Sequence, residues 1–181
     1  MNDLTFYSHK ECLLKDNGIN HPERRERLET IIKSVHEIKK IFVQFKDAPI
    51  ADFKNINLVH PNKYVKKMLA SIPQKGLSTM YEEPYADTFL CPNSKNAILR
   101  ACGSGIAAAD DLIKNNIKKI FCGVRPPGHH AETIKLSFGF CFLNNIAVCA
   151  KYLQSKYDVN KIAIIDFDVH HGNGTQEIFY N

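Results

Sequence analysis

Short apolar runs alternate along the 181 residues with stretches in which apolar side chains recur every three or four positions. That alternation predicts strands interleaved with helices, hence an α/β fold. Leu4 to Tyr7 reads as a short first strand. A helix is expected from His21-Pro22, because proline suits the first helical turn and Glu23 suits the positive end of the dipole. Leu28, Ile31, Ile32 and Val35 then fall at helical spacing. Ile41 to Phe45 reads as a strand, and Pro61 to Ser71 as a helix with Val65, Met68 and Leu69 on one side.

Ser71 to Pro92 is polar and turn-rich (Pro73, Gly76, Pro84) and reads as a long surface loop, a kind of segment that often carries function. A helix follows from Ser94 to about Asn115, with Ala101, Gly103, Gly105, Ala107 and Ala108 small enough for close packing against a sheet. Lys119 to Val124 reads as a strand ended by Arg125-Pro126-Pro127-Gly128, and Asn144 to Tyr157 as a helix. Lys161 to Val169 carries the strongest strand signal. Its run of Ile162, Ala163, Ile164 and Ile165 is that of a strand buried on both faces of a parallel sheet. Thr175 then reads as the cap of a helix over Gln176 to Tyr180.

Composition narrows the picture. A chain of 181 residues with 44% hydrophobic and 24% charged residues suits one soluble domain with its own core. No run approaches the roughly 18 to 20 apolar residues of a membrane helix, so no membrane partner is expected. Met1-Asn2-Asp3-Leu4 does not open a secretory signal, and a cytoplasmic, reducing setting is expected. Six cysteines (Cys12, Cys91, Cys102, Cys122, Cys141 and Cys149) form no CxxC pair, which argues against a disulfide framework or a cysteine zinc cluster. The net charge of +5 comes from scattered lysines without a like-charge block, so direct nucleic-acid binding is not expected.

Three segments carry candidate chemistry. The first is Asp166-Phe167-Asp168-Val169-His170-His171-Gly172-Asn173-Gly174. On a strand, Asp166, Asp168 and His170 share a face. Two carboxylates and an imidazole buried at a strand end need compensation, either from salt bridges or from a cation. Asp and His suit zinc, whose catalytic sites use three protein ligands and one open position. Sites also gather beyond the carboxyl ends of parallel strands.

The second is Gly123-Val124-Arg125-Pro126-Pro127-Gly128-His129-His130-Ala131, which sets two histidines at a rigid turn. They are placed for proton transfer, or they are incidental on a surface loop. The third is Ser137-Phe138-Gly139-Phe140-Cys141-Phe142-Leu143-Asn144-Asn145. It reads either as core packing with a helix cap or as the apolar wall of a substrate channel.

Together these segments resemble the histone deacetylase family, with its acetylpolyamine and acetoin-utilisation relatives, in a class II-like form. Tyr7-Ser8-His9, Cys12-Leu13-Leu14 and His21-Pro22-Glu23-Arg24-Arg25-Glu26-Arg27-Leu28 extend the likeness over essentially the whole chain. The resemblance implies a three-layer α/β/α domain around a mainly parallel sheet, with residues 1–181 as its N-terminal portion. It implies that Asp168 and His170 are two of three zinc ligands. His130 would be the general base and acid, and His129 its electrostatic companion. Asp166 would orient His129 and help hold a structural potassium ion, and Asn173 would orient His130. Many members carry Asp where Asn173 stands, and Asn holds an imidazolium less strongly than a carboxylate does. Gly139 and Phe140 would line an acyl-lysine tunnel, Asp87 would match a rim aspartate that holds the substrate backbone, and Arg27 would face an inner cavity through which acetate leaves.

The implied reaction is metal-assisted hydrolysis of an acetyl amide. The substrate would be acetyl-lysine in a protein, an acetylpolyamine or another small acetylated amine. The family's third zinc ligand and its oxyanion-stabilising tyrosine or histidine are expected beyond Asn181, as are further strands, so an apolar sheet edge should lie uncovered. Two other readings stay open: an inactive remnant serving as an interaction module, and an arginase-like manganese ureohydrolase.

Overall fold

The computed structural model describes residues 3–80, 87–134 and 138–180. The expectations for Pro84 and Ser137 therefore lie outside the described residues. In chain order the elements are β1 (Leu4–Ser8), a 3-10 turn (Lys10–Leu13), α1 (Arg25–Glu37), β2 (Val43–Asp47), α2 (Phe53–Ile56), α3 (Asn62–Ala70), β3 (Ser78–Thr79), β4 (Phe89–Leu90), α4 (Ser94–Lys114), β5 (Ile120–Cys122), α5 (Asn145–Tyr157) and α6 (Asn173–Phe179).

The main sheet has the order β2-β1-β5, with both pairings parallel, and helices lie on both its sides. The predicted α/β class and mainly parallel sheet therefore hold. β1 sits in the middle, and its three central residues are buried. Register sets Phe6 beside Phe45 and Phe121, each with ring centroids 5.4 Å away. Cross-strand aromatic neighbours of this kind are the unit of sheet stabilisation.

The larger core lies between α4 and α5, where Ile98, Leu99, Cys102 and Ile106 join Ala147, Val148 and Tyr152. The small residues of α4 serve this helix pair and a neighbouring loop. A Cβ at Gly105 would meet Cys149 of α5 at 3.1 Å, and one at Gly103 would fall 1.9 Å from the Pro49 carbonyl.

Several expectations need correction. The helix expected at His21-Pro22 begins at Arg25. Glu23 does not serve its dipole; it is 1% exposed, with its carboxylate on Arg125. The surface loop over Ser71 to Pro92 contains a two-stranded antiparallel sheet, which pairs Ser78 with Leu90 and Thr79 with Phe89. Thr175 does not cap α6 but lies inside it, behind Gly172.

The largest departure concerns Lys161 to Val169, which forms no strand. Ile165, Phe167 and Val169 are 86%, 97% and 92% exposed. An apolar run becomes a strand only where a neighbour offers ladder partners. None of the described residues does so here.

Candidate active site

β5 delivers the chain to the carboxyl end of the sheet, where Gly123 N–H donates to the Tyr7 carbonyl at 2.8 Å. The segment that follows is anchored by Arg125, which is 4% exposed. Its Nε and Nη2 donate to Glu23 at 2.5 and 2.9 Å, and its Nη1 donates to the carbonyls of Cys12 and Lys15 at 2.9 and 3.0 Å. A planar guanidinium met by a carboxylate and two carbonyls is held in position and orientation. The two histidines start only four residues further on.

His129 and His130 lie with ring centroids 4.1 Å apart. The Asp166 carboxylate accepts from His129 Nδ1 at 2.8 Å, and Asn173 Oδ1 accepts from His130 Nδ1 at 2.7 Å. Both bonds join the histidine turn to the segment around the Asp-x-Asp-x-His run. Thr175 N–H adds a bond to the His129 carbonyl at 3.1 Å, and Glu177 accepts from Thr133 N–H and hydroxyl at 3.0 and 2.8 Å. Side chains and caps pin the run in place, although no ladder does.

Asp166 also accepts from Asp168 N–H at 3.1 Å. Burial pushes its pKa upward, but the bonds from His129 and Asp168 N–H outweigh this and hold it below the usual carboxylate value. Asp168 accepts from His170 N–H at 2.8 Å, and that bond draws its own pKa down. The same Asp168 oxygen lies 3.2 Å from His170 Nδ1. The His170 ring centre is 6.1 Å from that of His130. Asp168 and His170 thus present an oxygen and a nitrogen side by side, next to the paired histidines.

Zinc takes this donor set, and the two side chains, 49% and 75% exposed, leave room for an ion. Among the described residues, no group of three His, Cys, Asp or Glu gathers to complete a site. The pair therefore fits two corners of a tetrahedral zinc site. A cavity of about 360 Å³ opens beside His129, Asp166 and Asp168. Gly139 and Phe140 do not line it.

The aromatic segment packs on His130 instead. Phe138 stacks on the ring with centroids 5.2 Å apart and planes 27° apart. Gly139 takes φ +58° and Phe140 φ +68°, both left-handed. A Cβ on Gly139 would fall 2.1 Å from His130 Cδ2, so only glycine lets this backbone close over the imidazole. Asp87 holds the turn, with both carboxylate oxygens 3.2 Å from Gly139 N–H, and Phe140 N–H donates to Thr88 Oγ1 at 2.8 Å. Asp87 thus stands at the site, spent on the protein's own backbone. Arg27 is not brought there. It is exposed on α1, and the arginine that is buried is Arg125.

Gly139→Ala in the intact protein is expected to displace the His130 imidazole, and to lower kcat at least about tenfold if that ring carries the proton. It should also lower stability by about 1 to 2 kcal/mol through the left-handed backbone alone. Steady-state kinetics beside thermal unfolding checks both. Wild-type kcat would mean that the Gly139 turn swings clear of His130.

Sequence patterns gave no warning of two supporting groups. Glu132 accepts from Asn173 Nδ2 at 3.0 Å, and its only signal was its place two residues after His130. His60 is fully buried, and burial lowers its pKa to about 4. It is therefore neutral near pH 7. Its Nε2 accepts from Asn144 N–H at 2.8 Å, while Nδ1 faces the Thr133 carbonyl at 3.3 Å. It joins the start of α5 to the histidine turn, from a position that no spacing singled out.

The fold is thus a parallel α/β sheet that carries paired histidines and an Asp–His donor pair beyond its strand ends. The histone deacetylase domain matches residues 21–181. The chain therefore belongs to the histone deacetylase family. It is 36% identical to a "Probable deacetylase" of Archaeoglobus fulgidus over 96% of its own length and 47% of that protein. It is 33% identical to the type-2 histone deacetylase 2 of Dictyostelium discoideum over 94% of its length and 12% of that protein. The crystal structure of the HDA15 HD domain superposes with a TM-score of 0.86 at 31% identity, covering 99% of this chain and 51% of that one. The chain thus spans about half the length of the Archaeoglobus fulgidus protein and of the HDA15 HD domain chain and far less of the Dictyostelium protein, and it corresponds to the N-terminal part of the family's domain.

Proposed function

We infer that the intact protein is a zinc-dependent deacetylase that hydrolyses an acetyl amide and releases acetate. The observation that carries this reading is the contact of two His pairs, His129–Asp166 and His130–Asn173, with the Asp168–His170 donor pair. Asp168 and His170 would hold the metal. When bound there, zinc supplies Lewis acidity toward an amide carbonyl and toward water. The potassium ion assigned to Asp166 rests on the family likeness, since both carboxylate oxygens already accept hydrogen bonds.

The rest of the chemistry belongs to the side chains of this chain. With Nδ1–H donated to Asn173, His130 keeps the lone pair on Nε2. There it can take a proton from the attacking water and return it to the leaving amine. His129, held through Nδ1 by the Asp166 carboxylate, sets a second imidazole beside His130 as its electrostatic companion. Phe138 and the Gly139 turn shield one face of His130 from water. Acetyl-lysine in proteins and small acetylated amines are the substrate classes proposed, with histones one case among the first. A reducing, cytoplasmic setting is part of this proposal, and in it the six free cysteines would stay thiols.

The test is acetate release by the intact protein from an acetyl-lysine peptide and from N-acetylputrescine, with zinc content measured in parallel. Asp168→Ala is expected to lose both bound zinc and turnover. Hydrolysis that survives this change and exhaustive chelation would overturn the metal-assisted reading. The preferred substrate of the two identifies the class.

A further inference from the structure

Glu132 has no part in the mechanism above, yet it touches the residue that orients the base. Asn173 Nδ2 donates to Glu132 Oε1 at 3.0 Å, and the other end of the same amide faces His130 Nδ1 at 2.7 Å. We propose that Glu132 is a positioning residue: it sets which way the Asn173 amide points, and so which nitrogen of His130 stays open to accept a proton. This inference rests on the deacetylase reading.

The argument is one of donor and acceptor polarity. A carboxamide has an acceptor end and a donor end of nearly equal shape. The end that faces Glu132 Oε1 is the NH2, the polarity that an accepting carboxylate oxygen requires. The oxygen then faces His130 and can only accept. His130 must place its proton on Nδ1, and Nε2 carries the lone pair. Turned around, the amide would press its oxygen against the carboxylate and its NH2 against the ring. The ring would answer with a lone pair on Nδ1 and a proton on Nε2, the wrong tautomer for a base. A carboxylate at position 173 would have no wrong end, whereas asparagine needs a neighbour to choose for it.

The surroundings keep Glu132 in reach. It follows the fully buried Ala131 and precedes Thr133, whose N–H and hydroxyl both donate to Glu177 of α6. With the Thr175 N–H bond to the His129 carbonyl on the other side, the segment that carries Glu132 and the helix that begins at Asn173 are held together on both sides of the contact.

The test uses the intact zinc-loaded protein with 15N-labelled histidine, read by NMR at pH 8, beside kcat and KM on whichever of the two substrates the wild type turns over. In the wild type, Nε2 of His130 should be the unprotonated nitrogen. Glu132→Lys puts a donor against the amide and should move the lone pair to Nδ1. It should lower kcat about 100-fold with KM within about twofold. The double change Glu132→Lys with Asn173→Asp restores the polarity, and should restore the tautomer and bring kcat to within about tenfold of wild type. Glu132→Gln, which keeps an acceptor oxygen, should lose less than about tenfold. Should Glu132→Lys not fold, Glu132→Ala reads the same tautomer without added charge.

A wild-type ring with its proton on Nε2 overturns the proposal, as does an unmoved tautomer in folded Glu132→Lys or, where that does not fold, in Glu132→Ala. A double variant no better than the single also overturns it. If neither substrate is hydrolysed while the tautomer still follows Glu132, the deacetylase reading falls and the positioning role stands.

Discussion

His130→Ala in the intact protein is expected to lower kcat by about 100- to 10,000-fold while leaving bound zinc nearly unchanged. The reason is a division of labour in the geometry. His130 is held through Nδ1 by Asn173, under Phe138 and Gly139. The proposed ligands Asp168 and His170 bond to each other and stand on the opposite segment. Removing the imidazole deletes the proton carrier and takes from the donors only the 6.1 Å ring contact with His170. Turnover and metal content, measured on the same sample, separate the outcomes. Normal turnover would end the general-base assignment. Loss of zinc together with turnover would mean that His130 acts by supporting the ligands.

The second large effect is on stability. Glu23→Ala is expected to destabilise the intact protein by about 3 to 5 kcal/mol, because it leaves the Arg125 guanidinium buried without its carboxylate. Both side chains are nearly inaccessible, at 2% and 5% exposure, so solvent cannot substitute for the lost partner. Lys15 would be stranded too. It bonds Asn17, lies 3.9 Å from Glu23, and burial already pushes its pKa down to about 8. Denaturant unfolding with an unchanged m-value measures the loss.

The same pair gives a pH dependence. Burial raises the Glu23 pKa, but the Arg125 bonds and charge outweigh it, so the folded value lies below the ordinary glutamate value of 4.5. A depressed folded pKa contributes stability that is present above about pH 4.5. That stability is lost as pH falls through the folded value. Glu23→Gln should flatten this acid limb, and a limb left unaltered would place the acid sensitivity elsewhere.

The long amphipathic elements were readable locally. α3, α4 and α5 lie within one or two residues of their predicted bounds, because a helix closes its own hydrogen bonds and its face repeats every 3.6 residues. The chemistry-bearing residues were readable as well. Asp and His side chains clustered at the end of a predicted strand and at a predicted turn point to a site whether or not the strand itself forms. His129, His130, Asp166, Asp168, His170 and Asn173 do come together, through the bonds to Asp166 and Asn173.

What could not be read depends on partners distant in sequence. Lys161 to Val169 has the apolar run of a buried strand, yet strand status requires a ladder from elsewhere in the fold, which the described residues do not supply. Arg27 and Arg125 look equally basic in the sequence. A carboxylate 102 positions from Arg125 in the chain decided which of them is buried. Glu23 suits a helix terminus by residue type, and the pairing with Arg125 takes it instead. The sequence by itself determined α3, α4 and α5, the α/β class and the residue types of the site, since these follow from short-range periodicity and chemistry. Only the tertiary structure decided which charges pair, which histidine nitrogen is held and that Glu132 faces Asn173. Those contacts depend on distances of a few ångströms between segments that the sequence keeps far apart.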